Sequence, residues 1–159
     1  MSKYSIVVAD AQRARFFSLQ DSRTPEVESS PRLVEQAGLA NIEKEKPGSP
    51  RRGNPANGRA FEDHRERREL EEQRHFSSLI VKESLKQTRK ADAHSLVLVA
   101  GRKTLGMIRE SLATVKTNGL AIYEYGRDLT NDSPEKIQDL LARRKLIPAM
   151  KKPVKQVRK

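Results

Sequence analysis

Short apolar runs alternate with polar and charged segments along this chain of 159 residues. The longest apolar run, at residues 95–101, has five consecutive aliphatic side chains and ends in a glycine. A helix of this hydrophobicity would be longer, so the run predicts a strand buried on both faces, which we place in the middle of a sheet. Residues 102–112 then change to helical spacing, with Leu105, Ile108 and Leu112 on one face. This order predicts the opening of a parallel crossover unit.

The N-terminal half predicts antiparallel strands and a long helix. Residues 5–10 and 15–19 predict a hairpin, residues 21–25 a turn, and residues 31–42 a weaker third strand. A long helix capped by Asp63 follows, with a charged and exposed first half. Its second half is expected to turn five apolar residues toward the core: Phe76, Leu79, Ile80, Val81 and Leu85.

The C-terminal part adds one strand and one helix. Residues 120–125 predict a second buried strand. Ser133 and Pro134 are typical of a helix N-cap and first helical position, and they predict a last helix through about residue 144. The complete order is β-β-β-α-β-α-β-α. Three antiparallel strands followed by two right-handed parallel crossovers predict an α/β fold in which a mixed five-stranded sheet is flanked by helices, a topology of ribonuclease-H-like type.

Two segments interrupt this pattern, and they contain most of the positive charge. Residues 44–60 include three prolines and three glycines, which predicts a flexible loop inside a single domain of residues 1–145; residues 146–159 predict a disordered tail. Of the net charge of +11, residues 44–60 carry +4 and residues 143–159 carry +8. Extended basic segments on a neutral body indicate a polyanionic partner, with RNA or DNA favoured over a membrane surface.

Eleven basic residues of these two segments are the predicted contacts to nucleic-acid phosphates. They are Arg51, Arg52, Arg59, Arg143, Arg144, Lys145, Lys151, Lys152, Lys155, Arg158 and Lys159. Arginine can bind a phosphate with two parallel hydrogen bonds, whereas lysine acts as a mobile point charge. Neither segment has an aromatic residue for base stacking apart from Phe61 at the end of the loop. We therefore expect recognition through phosphates and shape.

The residues at the strand ends and the missing catalytic motifs disfavour catalysis. Nucleases of ribonuclease-H-like fold hold two divalent metals with carboxylates at the ends of the first and central strands. Asp10 ends the first strand, but the central strand ends in residues 100–103, Ala-Gly-Arg-Lys, so we interpret Asp10 as a turn-forming residue. His64, His75 and His94 lack metal spacing, there is no cysteine, and no Gly-x-Ser-x-Gly elbow occurs. We expect no enzymatic activity, no metal and no cofactor.

Several segments together resemble a known family. They are residues 7–17, Val-Val-Ala-Asp-Ala-Gln-Arg-Ala-Arg-Phe-Phe; the Gly/Arg-rich loop before Phe76; residues 96–100 with residues 105–109; and residues 125–130, Tyr-Gly-Arg-Asp-Leu-Thr. As an ordered set they resemble the host attachment protein family, which is itself similar to the middle domain of archaeo-eukaryotic peptide-release factors and their bacterial relatives. The resemblance covers roughly residues 4–145 and implies a ribonuclease-H-like domain of release-factor middle-domain type.

The resemblance also bears on activity. In release factors the corresponding loop carries a Gly-Gly-Gln tripeptide that reaches the peptidyl-transferase centre. Here residues 52–59 read Arg-Gly-Asn-Pro-Ala-Asn-Gly-Arg, without that tripeptide, which argues against ester hydrolysis.

The leading functional prediction is a non-enzymatic RNA-binding module that docks on ribosomal RNA or tRNA through the basic loop and tail. One alternative is a peptidyl-tRNA hydrolase or release-like factor that uses the loop without the usual tripeptide. Another is a protein-interaction factor in attachment to host cells, whose basic segments bind an acidic partner or an envelope surface. No apolar run is long enough to span a bilayer and no signal-peptide layout occurs, so we expect a cytoplasmic protein without membrane insertion.

Overall fold

The apolar runs of the sequence form one mixed sheet with helices on both faces. The computed structural model describes residues 4–24, 27–41 and 58–149. These residues contain five strands: β1 (Tyr4–Ala9), β2 (Arg13–Thr24), β3 (Val27–Ala40), β4 (Ser95–Ala100) and β5 (Ala121–Tyr125). They also contain three helices: α1 (Gly58–Lys90), α2 (Arg102–Leu112) and α3 (Pro134–Arg143). The predicted element order and the α/β class are confirmed.

The strand order across the sheet is β3-β2-β1-β4-β5. Strands β1, β2 and β3 form an antiparallel meander, whereas β4 lies parallel to both β1 and β5. The prediction that β4 is the middle strand is wrong. The meander adds two strands on one side of β1 and the parallel pair adds two on the other, so β1 occupies the centre. Strand β4 is still buried on both faces, because residues 96–100 are at most 1% exposed.

Strand β5 differs from its prediction as a second buried strand. Within the described residues it is an edge strand, paired only with β4, and none of its five residues is fully buried. The apolar side chains of residues 120–125 favour burial, but burial also requires a neighbour on each side of the strand. Among the described strands, β5 has a neighbour on one side only.

The β2–β3 hairpin is longer than predicted. Residues 21–24 belong to β2 and not to a turn, and Asp21 pairs with Pro31 of β3. Proline within a strand is tolerated because β3 lies at the edge of the sheet. The Gln138 side chain of α3 also binds this edge: its Oε1 accepts the Leu33 N–H at 3.0 Å and its Nε2 donates to the Pro31 carbonyl at 2.9 Å.

Helix α1 begins at Gly58, inside the predicted loop of residues 44–60. Asp63 therefore lies within the helix and is not its cap; residues 44–57 of the loop lie outside the described residues. Arginine and alanine at positions 59 and 60 are good helix formers, which suits the earlier start. Leu79 is 39% exposed, which contradicts its predicted packing, because it lies beside the buried stripe of Phe76 and Ile80.

Helices α1 and α2 cover one face of the sheet and α3 covers the other, since each contributes to a separate core cluster. The predicted start of α3 is confirmed: the Ser133 hydroxyl accepts the Lys136 N–H at 3.2 Å, and Pro134 is the first helical residue.

Ile147 is buried in the α3 cluster, so the core continues two residues past the predicted domain end at residue 145. Residues 150–159 of the predicted tail lie outside the described residues.

Candidate functional site

Three parallel strands end at the same edge of the sheet, and polar residues follow each of them. Ala9 is in register with Ala100, and Val99 with Tyr125, so β1, β4 and β5 end side by side. Open α/β sheets bind ligands outside the carboxyl ends of their strands. This carboxyl edge is therefore the candidate site.

Asp10, at the end of β1, orders the turn into β2. Its Oδ1 accepts the backbone N–H groups of Gln12 at 2.7 Å and Arg13 at 2.8 Å. This confirms the interpretation of Asp10 as a turn-forming residue. Its other oxygen, Oδ2, accepts the hydroxyl of Thr130 at 3.0 Å, which links the turn to the segment that follows β5. The Thr130 hydroxyl also lies 2.6 Å from Oδ1 of Asp128, and its single hydrogen serves one of the two carboxylates at a time.

Arg13 and Arg15 bind the same segment from β2. Arg13 Nη2 donates to the Thr130 carbonyl at 2.8 Å and to the Asn131 side chain. Arg15 Nη1 donates to the Thr130 carbonyl at 3.0 Å and to the Asp132 carbonyl at 2.7 Å. These contacts join residues 10–15 to residues 128–132, and we call the joined unit the clasp. Sequence reasoning missed it, although two arginines at alternate strand positions indicate side chains on one face of the sheet.

A second group of side chains surrounds Tyr125, the last residue of β5. A hydrogen bond from Arg127 lowers the pKa of the Tyr125 phenol below its ordinary value, with a smaller contribution from Arg144 against partial desolvation. The Arg144 guanidinium also lies over the Tyr125 ring, 5.3 Å from its centre. Arg102, the first residue of α2, lies against the residue that follows Tyr125, since a Cβ added at Gly126 would be 3.8 Å from the Arg102 Cγ. We call Arg102, Tyr125, Arg127 and Arg144 the Tyr125 cluster.

The three arginines of the Tyr125 cluster are exposed, and none forms an ion pair within the described part of the chain, although the negative charge of Asp132 helps to raise the pKa of Arg127. Other cations there do have acidic partners: Arg15 pairs with Glu35, and Arg109 with Glu124. The cluster is therefore a local excess of positive charge next to an aromatic ring. Such a surface attracts anions, and its guanidinium groups suit the bidentate geometry of phosphate.

The predicted phosphate contacts are only partly described. Arg144 belongs to the Tyr125 cluster, Lys145 is exposed directly after it, and Arg143 pairs with Asp139 at 3.0 Å. Arg59 lies in the first turn of α1, but the structure describes only its backbone. The remaining predicted contacts lie outside the described residues: Arg51, Arg52, Lys151, Lys152, Lys155, Arg158 and Lys159.

Arg102 and Arg127 are site residues that sequence reasoning missed. Each comes one or two positions after the end of a parallel strand, Arg102 after β4 and Arg127 after β5. This placement was the available signal, since neighbouring parallel strands bring the residues that follow them to one edge.

Two further observations concern the described ranges as a whole. No three His, Asp or Glu side chains within them come close enough together to hold a metal ion. None of the three described helices is both long and apolar enough to cross a membrane.

The fold and site define an α/β protein with a mixed open sheet and a cationic cluster at its carboxyl edge. Residues 5–141 match the family model described as "Protein required for attachment to host cells", and the chain belongs to this family. The predicted resemblance to the host attachment family is confirmed. The family description indicates a role in attachment to host cells. None of the curated proteins matches this chain.

Proposed function

We propose that this protein is a non-enzymatic, cytoplasmic member of the host attachment family. It binds RNA phosphates through the Tyr125 cluster and through the basic segments of residues 44–60 and 143–159. Ribosomal RNA or tRNA is the proposed partner. The observation that carries the proposal is the group of three exposed arginines at the carboxyl edge of the parallel strands, none of which forms an ion pair with another described residue.

Charge and chain order both support this proposal. Arg144 is the first cation after α3 in a segment of residues 143–159 that contains eight basic residues and no acidic one. A polyanion held at the Tyr125 cluster would therefore meet further cations from the same segment. Each phosphate that is neutralised releases condensed counterions, so binding of this kind weakens steeply as salt rises.

We further propose that the fold is the ribonuclease-H-like type of release-factor middle domains. The element order and the mixed five-stranded sheet support this assignment. Residues 52–59 lack the Gly-Gly-Gln tripeptide, and this difference supports RNA contact without ester hydrolysis as the activity. RNA binding would then be the molecular step behind the role in attachment that the family description indicates.

Two neighbouring arginines at the C-terminal end of α3 provide a matched test. Arg144→Gln and Arg143→Gln each remove one positive charge, but only Arg144 lies in the Tyr125 cluster, whereas Arg143 has Asp139 as its partner. Fluorescence anisotropy with a labelled RNA hairpin measures affinity over a salt series. We expect Arg144→Gln to weaken binding and to reduce the slope of log affinity against log salt by about one. Arg143→Gln should leave the slope close to that of the parent protein.

Equal weakening by both substitutions would show that net charge alone governs binding, and the proposed site would be wrong. No binding of the parent protein to the hairpin at low salt would refute the function itself. Sedimentation of cell extract at low and high salt then tests the ribosome as partner, since the protein should leave the ribosomal fraction when salt is raised.

A further inference from the structure

Two tyrosines lie on one face of the edge strand β5. Tyr123 is in register with Val97 and Tyr125 with Val99, and both valines belong to the core cluster beneath α3. Alternate residues of a strand share a face, so both rings lie on the α3 side of the sheet, about 7 Å apart along the strand. Tyr123 is 44% exposed and Tyr125 is partly buried.

Two guanidinium groups lie beside the Tyr125 ring, and the Asp132 carboxylate acts on one of them, Arg127. Glu124 lies between the two tyrosines in sequence and so points to the opposite face, where it binds Arg109. On the α3 side the Arg144 guanidinium lies over the Tyr125 ring and Arg127 binds its phenol. An aromatic surface is thus continuous with guanidinium groups that form no ion pair with another described residue.

We infer that Tyr123 and Tyr125 form a stacking platform for the bases of single-stranded RNA, whose phosphates are bound by the arginines of the Tyr125 cluster. This inference rests on the proposed function and specifies the form of RNA that the site takes. Base recognition in single strands uses aromatic rings and arginine planes as stacking partners. A continuous duplex keeps its bases stacked internally and can use only the arginines.

Tyr123 is the decisive residue of this platform. Arg144 already covers one face of the Tyr125 ring, whereas the larger exposure of Tyr123 leaves room for a base. Its position on an edge strand also leaves one flank of the ring without a neighbour among the five described strands. An unpaired loop or end of a structured RNA fits this geometry, because its bases can turn outward onto a ring while the backbone follows the arginines.

The tyrosines themselves report on stacking. The chain has three tyrosines and no tryptophan, so its intrinsic fluorescence comes from tyrosine alone. The parent protein is titrated with a short oligouridine and, separately, with a blunt duplex RNA of the same length. We expect tyrosine quenching and tighter binding with the single strand. Tyr123→Ala should weaken single-strand binding by about fivefold to a hundredfold, and Tyr123→Phe should retain it.

Leu79→Ala is the matched control, because Leu79 is another exposed apolar side chain but lies on α1. It should leave affinity unchanged, and the salt slope should stay the same in Tyr123→Ala, since no charge is removed. If Tyr123→Ala proves unfolded by thermal melting, Tyr123→Phe and the quenching of the parent protein still decide the question.

The outcomes separate the two proposals. Stronger binding to the single strand, with quenching and loss in Tyr123→Ala, supports the platform. Equal binding to single strand and duplex, or no change in Tyr123→Ala, overturns the platform and leaves phosphate binding at the Tyr125 cluster standing. Absence of binding to both RNAs at low salt refutes the proposed function together with this inference.

Discussion

Arg15 connects β2 to the segment after β5, and its removal tests whether the clasp stabilises the fold. Its side chain is 16% exposed and donates to the carbonyl oxygens of Thr130 and Asp132. The same guanidinium binds Glu35, from Nε to Oε2 at 3.1 Å and from Nη2 to Oε1 at 2.9 Å. Arg15→Ala removes all of these contacts, whereas Glu35→Ala removes only the ion pair.

The two substitutions should differ in cost. A hydrogen bond from a charged donor contributes about 1.5–3 kcal/mol, but the Thr130 carbonyl keeps Arg13 as a donor, so we count mainly the bond to Asp132. The Arg15 guanidinium also lies 5.0 Å from the centre of the Phe17 ring, which adds about 0.5–1 kcal/mol. We expect Arg15→Ala to lower the free energy of unfolding by about 2–4 kcal/mol. Glu35 is 39% exposed, so its ion pair contributes less than about 1 kcal/mol.

Urea unfolding of the parent protein and both variants measures these costs, with an unchanged m-value as the condition for comparing midpoints. Equal losses in the two variants would refute the reasoning, because the ion pair would then account for the whole contribution of Arg15. Arg127 belongs to the segment that Arg15 holds. For this reason folded Arg15→Ala should also bind the RNA hairpin more weakly than Glu35→Ala does.

Three further predictions concern single side chains. Gln138→Ala should lower the melting temperature by about 5–15 °C, because it leaves backbone groups of β3 without partners. Gln138→Glu should become less stable as pH rises above about 4.3, since burial raises the folded pKa of an acid, and melting at several pH values checks this. In an alkaline absorbance titration, Tyr125 should ionise below about 10, and Arg127→Gln should shift its pKa upward. Ser133→Ala should lower the free energy of unfolding by about 1 kcal/mol in urea, whereas Ser133→Asp should keep the cap.

Local pattern was sufficient for the elements but not for their neighbours in the sheet. The aliphatic run of β4 and the spacing of Leu105, Ile108 and Leu112 in α2 predict correct structure, because burial of these side chains depends on periods of two and 3.6 residues. Strand order depends on pairings between distant segments. For that reason β1 was not recognised as the central strand, nor β5 as the edge.

The candidate site was missed for a related reason. The contact between Arg13 and Thr130 spans 117 residues of sequence, and no local period predicts it. Tyr123 and Tyr125 end a segment that begins Leu-Ala-Ile, a pattern that favours burial, and the exposure of Tyr123 depends on the position of β5 at the edge of the described sheet. Arg102 follows β4 and Arg127 follows β5. The strand order is needed to show that these strands are neighbours and that both residues therefore lie at the same edge of the sheet.

The segment after β5 joins the clasp to the Tyr125 cluster, and its residues divide between the two. Tyr125 and Arg127 face the cluster, whereas Asp128 and Thr130 bond within the clasp and Leu129 is buried. Within residues 125–130, the first part thus faces the Tyr125 cluster and the second part holds the segment against the sheet. Sequence alone does not distinguish these two roles. Substitution of Arg127 should therefore change RNA affinity at constant stability. Thr130→Val should lower stability first, and affinity only as the segment loosens.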